Sequence, residues 1–363
     1  MVTSASARHS ASERPRPRSS IWDAAVAEAK RRRANTSVKD DKAPRESTLL
    51  LIGSKGAGKT TLLQRFLDKE EAPRKTLALE YTYGRKSGKT LVKDVCHLWE
   101  LGGGSTFTSL LQTPINLRVF PFLTAIIMLD LSRPEALWND METLLQAIKT
   151  EVSRVLNSAE AKQTDLEEQL MEQQWRRLGS DHQDREHMSP LPIPLVIVGG
   201  KYDVFQDMEP EGKKLIAKAL RFMAHIHGAS LQFFSAKDAG LIKKAKELLS
   251  HHGFNTQDSK SLSQDYNKPL LIPAGSDSLT GITGSVDETQ ASLTVEAWRH
   301  TFTARFPQET DQKSSIIPED PTKDPAYIEP DIDNLRAQKD EELERIRRQV
   351  GHSSTRWADL DIS

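Results

Sequence analysis

The chain has 363 residues, 37% hydrophobic and 28% charged, with a formal net charge of −1 and a mean hydropathy of −0.54. That is room for one large domain with polar extensions, and too polar for a single compact globule. The balanced charge offers no global field for nucleic acid, and no apolar run approaches the ~18 residues of a membrane span. The single cysteine, Cys96, excludes an intrachain disulfide; it sits in a strand-like run and reads as a small buried side chain in a reducing compartment.

Charge is uneven along the chain. Residues 1–46 hold 11 Lys/Arg against 6 Asp/Glu, a net of +5, and residues 319–363 hold 7 against 12, a net of −5. Residues 1–20 are rich in Ser, Arg and Pro, a composition for disorder, and no apolar core follows the arginines to make a signal peptide. Ile21–Arg33 (IWDAAVAEAKRRR) suits a short helix with its cations at the C-terminal end, where the helix dipole favours them. Ordered structure is expected from near Thr48. Leu49–Ile52 reads as a buried strand, Thr60–Leu67 as a helix, and Thr76–Tyr83 and Leu91–Leu101 as two more strands. Ala125–Leu131 is a buried strand, and Pro134 opens a helix at the position where proline is tolerated. Leu195–Val198 and Ser230–Ser235 come next as strands, with helices at Glu211–His227 and Ala239–His251. Apolar strands alternating with helices predict an α/β fold with a mostly parallel sheet covered on both faces.

The domain is expected over 47–254, with a charged helical insertion near 151–190. After His252 the rhythm stops. Residues 255–317 form an extension with one apolar island, PLLIP at 269–273. It also holds an amphipathic helix, Leu293–Phe306, whose Trp298, Phe302 and Phe306 are too apolar to leave wet, so the extension is expected to pack on the core. Pro318–Pro330 reads as extended. A charged helix over 331–350 lies in the acidic tail, 318–363.

The first strand runs into GSKGAGKT: Gly53, Ser54, Lys55, Gly56, Ala57, Gly58, Lys59 and Thr60, then Thr61. This matches G-x-x-x-x-G-K-[ST] in its strand–loop–helix context. The glycines let backbone N–H groups turn inward on an anion, Lys59 supplies charge for phosphates, and Thr60 offers a hydroxyl to Mg²⁺. Altered echoes of the GTP-binding motifs come after it in order. Thr82 is spaced as a switch threonine toward Mg²⁺, with an ordinary strand threonine as the competing reading. WELGG (99–103), with Glu100 lying 41 residues after Lys59, stands where W-D-x-x-G belongs, and Gly103 is placed for a γ-phosphate contact. The next residue is normally the water-positioning glutamine; here it is Gly104. GGKYD (199–203) replaces N-K-x-D, keeping Lys201 and Asp203 for a guanine base but putting Gly200 in place of the asparagine. Ser235, Ala236 and Lys237 match the last base-contacting motif. The ligand these motifs suit is GTP or GDP with Mg²⁺, or the loop stands empty. No catalytic constellation stands out. No histidine has Cys or acidic neighbours at metal-ligand spacing, so all ten read as structural or surface residues.

Longer blocks carry a family resemblance: LALEYTYGR (77–85), WELGGG (99–104), KYDVFQD (201–207), LRFMAH (220–225), NKPL (267–270) and LRAQKDEELE (335–344). They resemble the dynein light intermediate chains, on the cytoplasmic dynein 2 branch, from about Trp22 to the C-terminus. The likeness to the dynein 1 branch lacks that branch's longer adaptor-binding tail. The resemblance implies a Ras-like P-loop domain in a non-motor subunit. It would pack on the N-terminal tail of the dynein 2 heavy chain, beside other dynein 2 subunits and intraflagellar transport trains, in cytoplasm, at the basal body or centrosome and in cilia. No nucleic-acid partner and no membrane insertion are expected. Two readings stay open: a structural motor subunit that is not an enzyme, and a regulatory GTP-binding switch with slow or no hydrolysis.

Overall fold

The computed structural model describes residues 46–87, 93–257, 261–284, 294–309 and 328–358, with side chains in the last helix up to 349. The sheet and its helices belong to one compact unit. The helix expected at 21–33 and most of the 318–330 segment lie outside the described residues.

In chain order the elements begin with β1 (Glu46–Gly53), α1 (Lys59–Phe66), β2 (Leu79–Ser87), β3 (Lys93–Leu101) and β4 (Leu123–Asp130). Then come α2 (Pro134–Leu156), α3 (Ala159–Gln163), α4 (Leu166–Leu178), β5 (Leu195–Gly200), α5 (Tyr202–Phe205) and α6 (Pro210–Ile226). The remainder is β6 (Ser230–Phe233), α7 (Ala239–Phe254), β7 (Leu271–Ile272), α8 (Leu279–Thr283), α9 (Val295–Arg305) and α10 (Pro330–Ala358). The strands form one seven-stranded sheet, ordered β2-β3-β1-β4-β5-β6-β7. β1 pairs in parallel with β3 and β4, β4 with β5, and β5 with β6, while β7 runs antiparallel along β6.

Period-two alternation puts the apolar residues of each central strand on both faces. Leu50 and Ile52, Ala125 and Ile127, and Leu195 and Ile197 join one buried cluster with the inner faces of α2 and α6. Leu49 and Leu51, Ile126 and Met128, and Val196 and Val198 join a second with Leu62 and Leu63 of α1 and Leu248 and Leu249 of α7. Strands buried on both faces read as unbroken apolar runs, which is why β1, β4 and β5 are visible in sequence.

Several boundaries differ from the expectations; β2 runs on to Ser87 and α10 to Ala358, and three further differences have a visible cause. Residues 76–78 are not strand: Ala78 O accepts from Gly102 N, so this stretch crosses the end of β3 and β2 begins at Leu79. The insertion starts later than 151, because Val152, Val155 and Leu156 continue the buried face of α2. β7, inside the PLLIP island, is a strand of two residues that sequence periodicity does not reveal.

The extension lies on the α2/α6 side. Phe302 of α9 is fully buried, its ring centroid 5.5 Å from that of Trp138 on α2, while Trp298 stacks on Phe222 of α6 at 5.2 Å. Beyond α9, Gln308 inserts its amide into the first turn of α2. Its Oε1 accepts from Trp138 N and Asn139 N at 3.1 and 3.2 Å, and its Nε2 donates to Pro134 O at 3.0 Å. Between β7 and α8, Asp277 forms a buried two-oxygen pair with Arg221 of α6, at 2.8 and 2.7 Å.

The phosphate loop is seated backbone against backbone. A Cβ at Gly53 would lie 2.0 Å from Met128 O on β4, and one at Gly200 would lie 2.5 Å from Ala57 O of the loop.

This packing sets the outcome of two substitutions. Phe302→Ala removes a ring from a closed apolar site and is expected to cost about 3–5 kcal/mol in a urea unfolding titration. Gly200→Asn, which restores the usual base-motif residue, is expected to destabilise by about 1–3 kcal/mol, because the Ala57 carbonyl occupies the space. A melting temperature equal to or above wild type for Gly200→Asn would contradict that seating.

Candidate functional site

All the sequence-predicted motifs except Thr82 fall at the carboxyl ends of the strands, where open α/β sheets bind ligands. β1 ends in the loop 53–60, β3 in Glu100–Gly104, β5 in Gly200–Asp203, and β6 leads into Ser235–Lys237. Gly58, in the left-handed conformation with φ 102°, stands at the N-cap of α1, and no side chain caps that end. The free N–H groups of the first turn therefore face the loop. Lys59 is buried and donates to the carbonyls of Gly53 and Ser54, both at 2.9 Å, drawing the loop around its ammonium. Burial pushes the Lys59 pKa down, offset in part by the Glu100 charge. Ser54 Oγ is buried with no hydrogen-bond partner. Lys55 and Gly56 are exposed at the loop's tip, Ala57 is buried, and Thr61 is half-buried in the first turn of α1.

Thr60 donates its hydroxyl to Glu100 Oε1 at 2.7 Å. Burial pushes the Glu100 carboxyl up, against the stabilising contacts of Thr60, Lys59 and Thr76. The extra methylene of Glu, compared with Asp, is thus used to reach Thr60 itself. Thr82 lies in β2, and among the described residues no hydrogen bond joins it to Thr60 or Glu100. The threonine that does stand at this spot is Thr76, whose Oγ1 is 3.4 Å from Thr60 Oγ1. Sequence reasoning misses it because residues 76–78 read as strand, whereas the chain here crosses the end of β3. Gly103 and Gly104 come next, with φ 72° and 68°.

The base-motif residues come together. Asp203 Oδ1 accepts from Ser235 Oγ at 2.8 Å, and its Oδ2 pairs with Lys237 Nζ at 2.6 Å. The Lys237 contact, with Ser235, holds the Asp203 carboxyl below the usual range. Ala236 is half-buried between them. Lys201, at φ 59°, reaches the other way to Asp130 Oδ2 at 2.6 Å. Asp130, at the end of β4, is a site neighbour that no motif announces.

The fit to a nucleotide is uneven. The loop, the uncapped α1 terminus and the unpartnered Ser54 hydroxyl fit a phosphate chain. Asp203 fits the N–H edge of a guanine once Lys237 gives way. For Mg²⁺ the set reduces to the Thr60 hydroxyl with Glu100 behind it. Among the described residues no helix is long and apolar enough to cross a membrane.

Comparison with known proteins bears on this geometry. The family model for the dynein light intermediate chain (DLIC) matches residues 16–192. Cytoplasmic dynein 2 light intermediate chain 1 of Mus musculus is 40% identical over 353 residues, spanning 95% of this chain and 99% of that one. Its counterpart in Danio rerio is 41% identical over 354 residues, 94% and 97% of the two chains, and that of Homo sapiens is 40% identical over 354, 95% and 99%. In structure, the chain is similar to the crystal structure of the dynein light intermediate chain's conserved domain. The TM-score is 0.53 at 18% identity, over 77% of this chain and 95% of that one, a likeness of fold. With a Ras-like P-loop fold and near full-length relatives, the chain belongs to the dynein light intermediate chain family.

Proposed function

We propose that this family member is a non-catalytic subunit of the cytoplasmic dynein 2 motor. It docks on the N-terminal tail of the heavy chain, joins the other dynein 2 subunits and intraflagellar transport trains, and supports retrograde transport and cilium assembly. Its places of action are the cytoplasm, the basal body or centrosome and the cilium. The observation that carries this reading is the match to dynein 2 relatives along 95% of the chain. The site supports a non-catalytic role. Gly104 has no side chain to orient a water, and Gly200 brings no amide to brace a base.

GTP or GDP, with or without Mg²⁺, is then a ligand of the fold. The residues that would hold it are Gly53–Thr61 for phosphates, Lys201, Asp203 and Ser235–Lys237 for the base, and Thr60 for the metal. Glu100 and Gly103 would be the residues nearest a γ-phosphate. Such a ligand orders the loop and adds stability in proportion to its occupancy. A second reading, a GTP-binding switch with slow or no hydrolysis, draws on the complete phosphate loop and its buried Lys59.

Co-purification with the dynein 2 heavy-chain tail separates the two. Lys59→Ala, shown to be folded by circular dichroism, is expected to bind the tail as wild type does. Loss of binding by the folded variant would move the switch reading to the front.

A further inference from the structure

Three side chains from two segments distant in sequence meet where the loop after α4 packs on the C-terminal end of α6, beside the start of α8. The ring of His182 and the carboxylate of Asp184 come from the first segment, and the buried ring of His225 comes from α6. One ligand atom from each lies within 4.8 Å of the other two. We propose that His182, Asp184 and His225 form a Zn²⁺ site that fastens the insertion to the core helix α6.

The donor set selects the metal. Two imidazoles and one carboxylate suit Zn²⁺ or a neighbouring late transition ion, whereas Mg²⁺ and Ca²⁺ take oxygen ligands. Three protein ligands leave one tetrahedral position for water.

The surroundings prepare these atoms. Asp184 Oδ2 accepts from Leu279 N and lies 2.9 Å from His225 Nε2, which fixes the carboxylate from the α8 side. His182 Nε2 is 3.2 Å from the Asp277 carbonyl, a contact that orients the ring as outer-shell carbonyls orient metal-bound histidines. That leaves His182 Nδ1, now accepting from Asp184 N at 3.1 Å, as the atom a metal would take over. The two imidazole rings are 5.3 Å apart.

Charge points the same way. The Asp184 side chain is 12% exposed and that of His225 is 1% exposed. Among the described residues no lysine or arginine pairs with Asp184. Arg221 is committed to Asp277, and Arg185 to the Ser180 carbonyl and the Trp175 ring. A largely buried carboxylate is stable when paired or metal-bound, and a divalent cation supplies the missing charge. In the linear chain only the short His182/Asp184 pair is visible, and it is not enough to mark the site, because the third ligand, His225, lies 41 residues from Asp184.

The test uses the full chain, stripped with a chelator and titrated with Co²⁺ and then Zn²⁺ alone. The expected result is one equivalent of tetrahedral Co²⁺, seen in its visible spectrum and displaced by Zn²⁺. Zn²⁺ at a hundredfold excess over its Kd is expected to raise the melting temperature by roughly 5–10 °C. His182→Ala and Asp184→Asn, chosen over the buried His225 so that the fold survives, should each abolish the spectrum and the thermal shift. The pair His251→Gln/His252→Gln should change neither. Absence of a tetrahedral spectrum in wild type overturns the site. So does binding that survives both His182→Ala and Asp184→Asn, or that is lost with the His251/His252 pair.

Discussion

Close backbone contact at the carboxyl edge of the sheet is the constraint on which the site depends. Neither Gly53 against Met128 O nor Gly200 against Ala57 O leaves room for a side chain. The phosphate loop is therefore drawn onto β4 and β5, and the ammonium of Lys59 goes down with it. Once buried, that ammonium needs the Gly53 and Ser54 carbonyls and the field of Glu100. Glu100 in turn is tolerated at 4% exposure because Thr60 and Lys59 favour its charge. Removing either charge leaves the other buried with only its neutral partners, the Gly53 and Ser54 carbonyls for Lys59 or the Thr60 hydroxyl for Glu100, which is costly. The loop is thus part of the core's electrostatics as well as a cradle for an anion.

The far side of the molecule is organised by a different device. The extension after α7 returns across α2 and α6 through an aromatic seam, Trp138–Phe302 and Phe222–Trp298, and through two polar fixtures. Gln308 takes over backbone hydrogen bonds in the first turn of α2, and Asp277 forms its ion pair with Arg221, whose side chains are 5% and 8% exposed. Aromatic burial supplies the free energy, and the polar fixtures set where the chain must lie, since a misplaced extension would strand Arg221. By contrast Ile332, Leu335, Leu343 and Ile346 of α10 remain about half exposed, so this helix is held by charge and propensity rather than by burial.

Legibility in sequence tracks the range of the interactions. β1, the phosphate loop and α1 are readable because strand, turn and helix signals are local and contiguous. β4 and β5 are readable because burial on both faces leaves an apolar run. β7 is not: two residues cannot display a period, and its partner β6 is distant in the chain. The site divides in the same manner. The clustering of Asp203, Ser235 and Lys237 is implied by motif order, whereas Thr76 and Asp130 belong to no motif and enter through the path of the chain. Spacing from the loop selects Thr82, but the crossing at 76–78 puts an earlier threonine beside Thr60. His182 has Asp184 two residues on, but the histidine that completes the set, His225, is brought to that carboxylate only by the fold.

The glycines after β3 bear on why a complete phosphate-loop motif accompanies altered GTP-binding motifs. A Cβ at Gly104 would meet Lys55 N at 3.5 Å, an ordinary contact, so crowding does not exclude a side chain there. The backbone disfavours one: Gly103 and Gly104 both lie in the left-handed region, and at Gly103 a Cβ would also strike the Phe107 ring at 2.7 Å. For a residue bearing a side chain such a conformation costs of order 1 kcal/mol or more. The turn after β3 therefore favours glycine, and a glutamine at 104 would carry a backbone cost as well as a change of side chain. The loop faces no such barrier to retention. A nucleotide bound only by the folded chain adds about 4 kcal/mol at a thousandfold excess over its dissociation constant, with no hydrolysis required. A fold can keep its phosphate cradle for that stability while its switch turn is rebuilt for packing, and this combination favours a structural subunit over a timed switch.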